Sequence, residues 1–279
     1  FCLSRGLGDV YKRQLFGGMA SNVTIEYLTI QNFVPQPGQY VVNHDMGSYW
    51  TIEYSTVQDN ADTRGSRLGA GLGMGSGDVY KYNCITHNGE YGLNAGGTGT
   101  TFSHNEVSWN GISYFPDTSC GCSGGIKYWV ATDATIEDNY IHDNYNVGLW
   151  ADTDNAGFLI EGNNISHNWA EGIIYEISYN ADITGNTFVG NGWGNGSTYA
   201  GGFPYGEAIY IFSSGGDRSI KSRFSGSVMV KGNTFTDNWD GVLVYQNPNR
   251  LCGSGANSST GYCTLDNPSV FTTARCVAK

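Results

Sequence analysis

A short pattern that recurs along the chain constrains the fold more than any other feature of the sequence. The template of a copy is an apolar residue, asparagine three positions later, a second apolar residue and a second asparagine, and the first two copies match it only in part. Most copies start about 22 to 28 residues apart, which suits one turn of a three-sided coil. The pattern therefore predicts a solenoid. Its copies start at Ile25, Ile52, Tyr80, Phe102, Ile136, Ile160, Ile183 and Val230.

Stacked copies of the pattern line up identical residues in columns. Side chains of a short strand alternate between inside and outside, and parallel strands stack about 4.8 Å apart. Asparagine tolerates the left-handed conformation of a corner, and its amide can bond to the asparagine one coil away. The apolar column is Ile30, Val57, Ile85, Val107, Ile141, Ile165, Phe188 and Phe235. The asparagine columns are Asn83, Asn105, Asn139, Asn163, Asn186 and Asn233, and Asn60, Asn88, Asn110, Asn144, Asn168, Asn191 and Asn238.

This pattern resembles the right-handed parallel β-helix proteins of the pectate-lyase-like superfamily. The resemblance implies an all-β, single-stranded right-handed parallel β-helix, which we expect over residues 15–246. Two longer gaps, at 111–124 and 192–227, are predicted to be inserted loops that frame a binding face. Residues 247–279 are expected to form a cysteine-containing cap or an irregular last rung.

The first fourteen residues are set apart from this domain. The stretch from Ser4 to Gln14 reads SRGLGDVYKRQ and is similar to a translated frame of a transposase sequencing adapter. We therefore expect residues 1–14 to be an artefact. We also expect the chain to be translated from a fragment of environmental DNA, with its true start missing.

Composition and charge limit the classes of function. The chain has 41 glycines, 14% aromatic and 14% charged residues, which argues against disorder. A net charge of −11 disfavours a nucleic-acid partner. No apolar run is long enough to predict a membrane span. We expect a monomer or part of a longer multidomain chain.

The cysteines favour an oxidising compartment and hence a secreted or cell-surface protein. Cys252 and Cys263 bracket a Gly/Ser-rich loop and are predicted to form a disulfide. Cys120 and Cys122 are too close in sequence to bridge comfortably, and with no second pair or nearby histidine they are a weak metal signal.

A second strand follows each asparagine corner, with copies that start at Gly125, Gly148, Gly172 and Gly241. Alignment on these glycines places Ile126, Leu149, Ile173 and Val242 in one inward column. Alternation then sends an unusual set of side chains outward on three consecutive rungs. This outward set is Lys127, Trp129, Trp150, Asp152 and Glu176.

The outward set suggests chemistry on a glycan. Asp152 and Glu176 would be neighbours about 5 to 6 Å apart at Cβ, so one pKa should rise and the two could serve as an acid and a base or nucleophile. Trp129 and Trp150 could stack on sugar faces. Lys127 could neutralise a substrate carboxylate, pair with Asp152 or act as a base. Asp154 and Glu171 could bind substrate or hold Ca²⁺ through their oxygens, and Tyr175 is predicted to be a further substrate contact.

The run from GGIK through LWADTDN to EGIIYEISYN is also similar to a motif set of secreted bacterial β-helix proteins. Many of those proteins carry histidine where this chain has Tyr175, which argues against histidine chemistry. The catalytic signatures of polygalacturonases, calcium pectate lyases and alginate epimerases are not visible. His87, His104, His142 and His167 lie beside ladder asparagines and are interpreted as structural. His44 and Asp45 lie outside the pattern and are secondary candidates for a functional role.

Three functions remain open at this point. The leading hypothesis is a polysaccharide hydrolase that uses Asp152 and Glu176 on an aromatic-lined face and needs no cofactor. The second is a non-catalytic glycan-binding or surface-structural module. The third is a polysaccharide lyase with Lys127 as base and Ca²⁺ held by Asp152 and Glu176.

Overall fold

In the computed structural model, the described residues are 15–16, 20–43, 45–115, 122–196, 206–212, 214 and 227–245. Within them the chain is almost entirely short strands, with a 3₁₀ turn at Ile112–Tyr114 and a short helix α1 at Trp193–Gly196. The first strands are β1 (Thr24–Glu26), β2 (Thr29–Gln31), β3 (Tyr40–Val42), β4 (Thr51–Glu53), β5 (Thr56–Gln58), β6 (Ala70–Met74), β7 (Val79–Lys81), β8 (Cys84–Thr86), β9 (Tyr91–Thr98), β10 (Thr101–Ser103), β11 (Glu106–Ser108) and β12 (Gly124–Thr132). The remaining strands are β13 (Thr135–Glu137), β14 (Tyr140–His142), β15 (Val147–Asp152), β16 (Ala156–Glu161), β17 (Asn164–Ser166), β18 (Ile173–Glu176), β19 (Tyr179–Thr184), β20 (Thr187–Val189), β21 (Glu207–Phe212), β22 (Val228–Lys231), β23 (Thr234–Thr236) and β24 (Asp240–Tyr245).

Every third strand along the chain lies on the same face of the β-helix, one coil further on. We call the faces A, B and C; they begin with β1, β2 and β3, respectively. Strands of one face pair in parallel with the equivalent strands of the coils before and after, for example β5 with β8 and β15 with β18. One coil therefore consists of three strands, and the molecule is the parallel β-helix that the repeat predicts.

Two asparagine ladders join the coils at the corners before and after face B. Asn139 is typical of them: its Nδ2 donates to the Oδ1 of Asn163 at 2.9 Å and to the carbonyl of Phe102 at 2.9 Å. Its own Oδ1 accepts from the backbone N–H of Asn105 at 2.9 Å. Because each buried amide satisfies backbone groups that the corner removes from the strands, the ladders hold the coils in register.

The prediction that the ladder asparagines themselves adopt the left-handed conformation is wrong. The residue before each asparagine does so instead, for example Tyr82 with φ of 57° and Trp109 with φ of 56°. The physical reason is that the asparagine side chain must point inward to reach its partners, so the preceding residue makes the bend. Outward side chains at these bends stack on one another, as Tyr27, Tyr54 and Tyr82 do.

The core is a continuous column of apolar side chains inside the coil. The face B column predicted from the repeat is buried from Ile30 to Phe188, while Phe235 in the last described coil is 40% exposed. Face C contributes Ile126, Leu149 and Ile173, all fully buried. Burial of these side chains leaves alternate positions of face C free to form an outward surface.

Candidate functional site

The outward surface of face C has the register expected from the glycine alignment. Lys127 pairs with Trp150 across β12 and β15, and Trp129 pairs with Asp152. Asp152 in turn pairs with Glu176 across β15 and β18. The five residues of the outward set therefore lie on three adjacent strands, each about 4.8 Å from the next.

Lys127 is the centre of this set. Its Nζ lies 2.7 Å from the Oδ2 of Asp152 and 3.3 Å from the ring centroid of Trp150, and its side chain is only 11% exposed. Burial lowers the pKa of Lys127, and this effect is opposed by the negative charges of Asp152, Glu176 and Glu90. One buried ammonium is thus surrounded by three carboxyl groups.

Asp152 and Glu176 are held by different partners although they are neighbours. Asp152 receives hydrogen bonds from Lys127 and from the hydroxyl of Thr153 at 2.8 Å. Glu176 is nearly fully buried and accepts from the indole Nε1 of Trp150 at 3.2 Å. Glu176 therefore contacts the indole that packs on Lys127, and its negative charge counteracts the burial that lowers the pKa of Lys127.

A groove of about 540 Å³ lies beside Lys127 and extends toward the earlier coils. Lys127, Trp129 and Asp152 line it, as do Glu90 and Tyr91 from the preceding coil. Asp152 thus faces the groove, whereas Glu176 does not line it. The groove also contacts Gly38, Tyr40, Asp45, Met46, Asn94, Ala95, Gly96 and Cys122.

Glu90 lines the groove and was not among the residues predicted from the sequence. The backbone N–H of Gly38 donates to its Oε2 at 3.1 Å, and burial raises the pKa of its carboxyl. Burial and the nearby charge of Glu90 raise the pKa of Tyr40 to about 12. The sequence did contain a pattern that could have located Glu90 beside face C. The segment GLNAG from Gly92 matches the face C template and places Asn94 in register with Lys127.

Trp129 and Trp150 differ in exposure. Trp129 is 57% exposed on the outward side that strand alternation predicts, next to the point where the pairing of β12 with β9 shifts register between Tyr128 and Ala131. Trp150 is 3% exposed, with its ring face against Lys127 and its Nε1 on Glu176. Stacking of a sugar on either ring stays a prediction, which the exposure of the indole favours for Trp129 and disfavours for Trp150.

Three other predicted substrate contacts lie in the interior. Tyr175 faces the core, fully buried, and donates to the carbonyl of Tyr179 at 2.7 Å. Asp154 is 3% exposed and is approached by the Tyr179 hydroxyl at 3.5 Å. Glu171 is fully buried and accepts from the backbone N–H of Gly206 at 3.0 Å. Direct contact of these three side chains with a substrate stays a prediction, which their burial disfavours.

Glu171 lies instead beside a second buried acid, Glu207. Burial and the charge of Glu171 raise the pKa of Glu207 to about 8. Glu207 itself is 3% exposed. The raised pKa favours the protonated form of Glu207 at neutral pH, and the two acids form a buried pair outside the groove.

The donors do not fit the calcium ion suggested for Asp152 and Glu176. The ammonium of Lys127 sits against the Asp152 carboxylate where an ion would bind, and Glu176 accepts from an indole. Among the residues that the structure describes, no group of three or more His, Cys, Asp or Glu is placed to hold a metal ion.

Several other predicted features fall partly or wholly outside the described residues. These are residues 1–14 and 247–279, the Cys252–Cys263 disulfide, His44, Cys120 and much of the two inserted loops. Asp45 lines the groove, and Cys122, which also lines it, is disulfide-bonded. His87, His104 and His167 lie at the corners beside the ladders, with φ of 54°, 57° and 53°. Helices in the described ranges are too short to cross a bilayer.

Comparison with known proteins agrees with this architecture. No curated protein matches the chain. Among solved structures, the chain is similar to the A-module of the mannuronan C-5 epimerase AlgE6 of Azotobacter vinelandii, with 13% identity and a TM-score of 0.44. The alignment covers 81% of this chain and 62% of that one, so the chain spans less than two thirds of that module's length. A family model described as a right-handed beta helix region matches residues 40–217, more than half of the chain. The chain therefore belongs to the right-handed beta helix family.

Proposed function

We propose that this protein binds a polysaccharide in the groove of face C and hydrolyses it there. The observation that carries the proposal is the groove itself, in which Glu90, Asp152 and the exposed face of Trp129 converge on Lys127. Grooves that combine exposed aromatic faces with convergent carboxyl groups suit sugars, because a sugar ring offers both C–H faces and hydroxyl groups.

In the proposed reaction, Glu90 is the general acid. Its raised pKa favours the protonated form that can donate to the glycosidic oxygen as the C–O bond breaks. Asp152 supplies the carboxylate that assists attack on the anomeric carbon, and one water is consumed per bond. This assignment replaces the pair of Asp152 and Glu176, because Glu176 does not line the groove. Glu176 becomes a positioning residue that acts through Trp150 and Lys127.

The test is a polysaccharide panel assayed for new reducing ends, with Glu90→Gln and Asp152→Asn variants. We expect each variant to lose at least about 100-fold in kcat, in the range of general acid–base catalysis. Glu161→Gln is the matched control, because Glu161 is an exposed acid on face A. The anomeric configuration of the first product then shows whether Asp152 attacks directly or through water.

Full activity in both groove variants, with unchanged melting temperatures, would refute the catalytic assignment. Binding of a glycan without any new reducing ends would favour a glycan-binding module. Unsaturated products, followed by their ultraviolet absorbance, would favour a lyase with Lys127 as base; the lowered pKa of Lys127 supports that second candidate.

The proposal includes a location outside the cytoplasm. Its support is the disulfide at Cys122, since disulfides persist mainly in oxidising compartments. Cys84, on face B, is a free thiol.

A further inference from the structure

We propose that the groove selects glycans that carry free amino groups and rejects polyuronates. The inference rests on the proposed function, because it names the substrate class of the same groove. It is argued from the charges that line the groove, from the contacts of its cation and from the exposed indole at its edge.

Carboxyl groups outnumber cations among the described residues that line the groove. Asp45, Glu90 and Asp152 line the groove, while Lys127 is the one cation among its described lining residues. Glu176 adds a further negative charge close to Lys127. Even with Glu90 protonated, the carboxylates around the groove outnumber the ammonium.

The ammonium of Lys127 is already engaged. It lies 2.7 Å from Asp152 and 3.3 Å from the Trp150 ring centroid, and its side chain is 11% exposed. A uronate carboxylate would have to displace Asp152 from this contact. The displaced carboxylate would then remain half-buried without its counter-charge, which is strongly unfavourable.

The groove contains carboxyl acceptors and an exposed aromatic ring that can bind a cation. The carboxyl groups of Asp152 and Glu90 can accept hydrogen bonds from a sugar ammonium, which are stronger than those from a neutral hydroxyl. The exposed ring of Trp129 adds a surface for a cation or for a sugar face. The net charge of −11 also attracts a polycation and repels a polyanion at long range.

The experiment compares hexamers of glucosamine, N-acetylglucosamine and galacturonic acid by isothermal titration calorimetry at pH 6. The glucosamine hexamer should bind at least about 10-fold more tightly than the acetylated one, and added salt should reduce that preference. The galacturonate hexamer should bind more weakly than either. A Glu90→Gln, Asp45→Asn double variant should lose most of the preference, whereas Glu161→Gln should keep it.

Galacturonate binding as tight as glucosamine binding would overturn the inference. Equal binding of the glucosamine and acetylated hexamers would also overturn it, and would leave the proposed function standing. If none of the three hexamers, nor any polysaccharide of the panel, binds, the proposed function fails together with the inference.

Discussion

At the scale of single residues, the site depends on how buried charges are compensated. Lys127 is stabilised in a position that burial disfavours by Asp152 on one side and the Trp150 ring on the other. Removing one partner of such a buried pair costs about 3 to 5 kcal/mol, because the other charge stays behind. Substitutions of Asp152 should therefore be read together with the stability of each variant.

The buried acid Glu207 gives a stability prediction with a defined sign. Its pKa is about 8 in the folded chain, against 4.5 for an ordinary glutamate side chain in water, so the folded state holds an extra proton between these values. The contribution of Glu207 to the free energy of unfolding should therefore be fully present below pH 4.5 and be lost as the pH rises toward 8. The slope is at most about 1.4 kcal/mol per pH unit.

Glu207→Gln mimics the protonated acid and should flatten this part of the profile, so that the variant gains melting temperature over the wild type at pH 8. Melting temperatures at about pH 4.5, 6 and 8 provide the measurement. Glu161→Gln, an exposed acid on face A, should follow the wild type at every pH. Parallel profiles for the wild type and Glu207→Gln would contradict the assignment.

At the scale of elements, the glycines at the start of the face C strands allow the ladders to approach these strands. A Cβ on Gly148 would meet the carbonyl oxygen of Gly172 at 2.7 Å and the Nδ2 of Asn168 at 2.8 Å. The equivalent Gly241, in the last described coil, has nothing within 4 Å of such a Cβ. Gly148 and Gly241 occupy the same position of the template, but only Gly148 is closely packed.

Gly148→Ala should lower the free energy of unfolding by about 1 to 3 kcal/mol, because the ladder or strand β18 must shift. Gly241→Ala should be neutral or slightly stabilising, since alanine restricts the unfolded chain. Urea denaturation of both variants measures the difference. Equal losses in the two variants would show that the close approach at Gly148 is relieved without cost.

The elements also show what the sequence could and could not predict. The ladders and the pairing of Asp152 with Glu176 were predictable, because strand alternation and coil stacking fix which residues become neighbours. Strand β21 was missed because Ala208 stands where the template has glycine. The outward direction of Trp129 was predictable from strand alternation, whereas the burial of Trp150 was not, because it depends on packing between coils.

At the scale of the whole molecule, the coil is a rigid scaffold whose face C carries the groove. The groove joins residues far apart in sequence, such as Tyr40, Glu90 and Asp152. Tyr40 and Asp45 lie outside the nine-residue pattern, so the repeat alone predicted one side of the site and not the other. Charge acts at this scale too, because the acidic groove and the acidic chain favour the same class of ligand.

The most direct test of the central claim is glycan affinity in two tryptophan variants of matched exposure. Trp129 at the groove is 57% exposed, and Trp193 on α1, which does not line the groove, is 52% exposed. Calorimetric titration with the best glycan of the panel should show at least about a 10-fold loss of affinity for Trp129→Ala, which corresponds to about 1.4 kcal/mol. Trp193→Ala should bind as the wild type does. A loss confined to Trp193→Ala, or affinity unchanged in Trp129→Ala, would contradict the assignment of face C as the binding site.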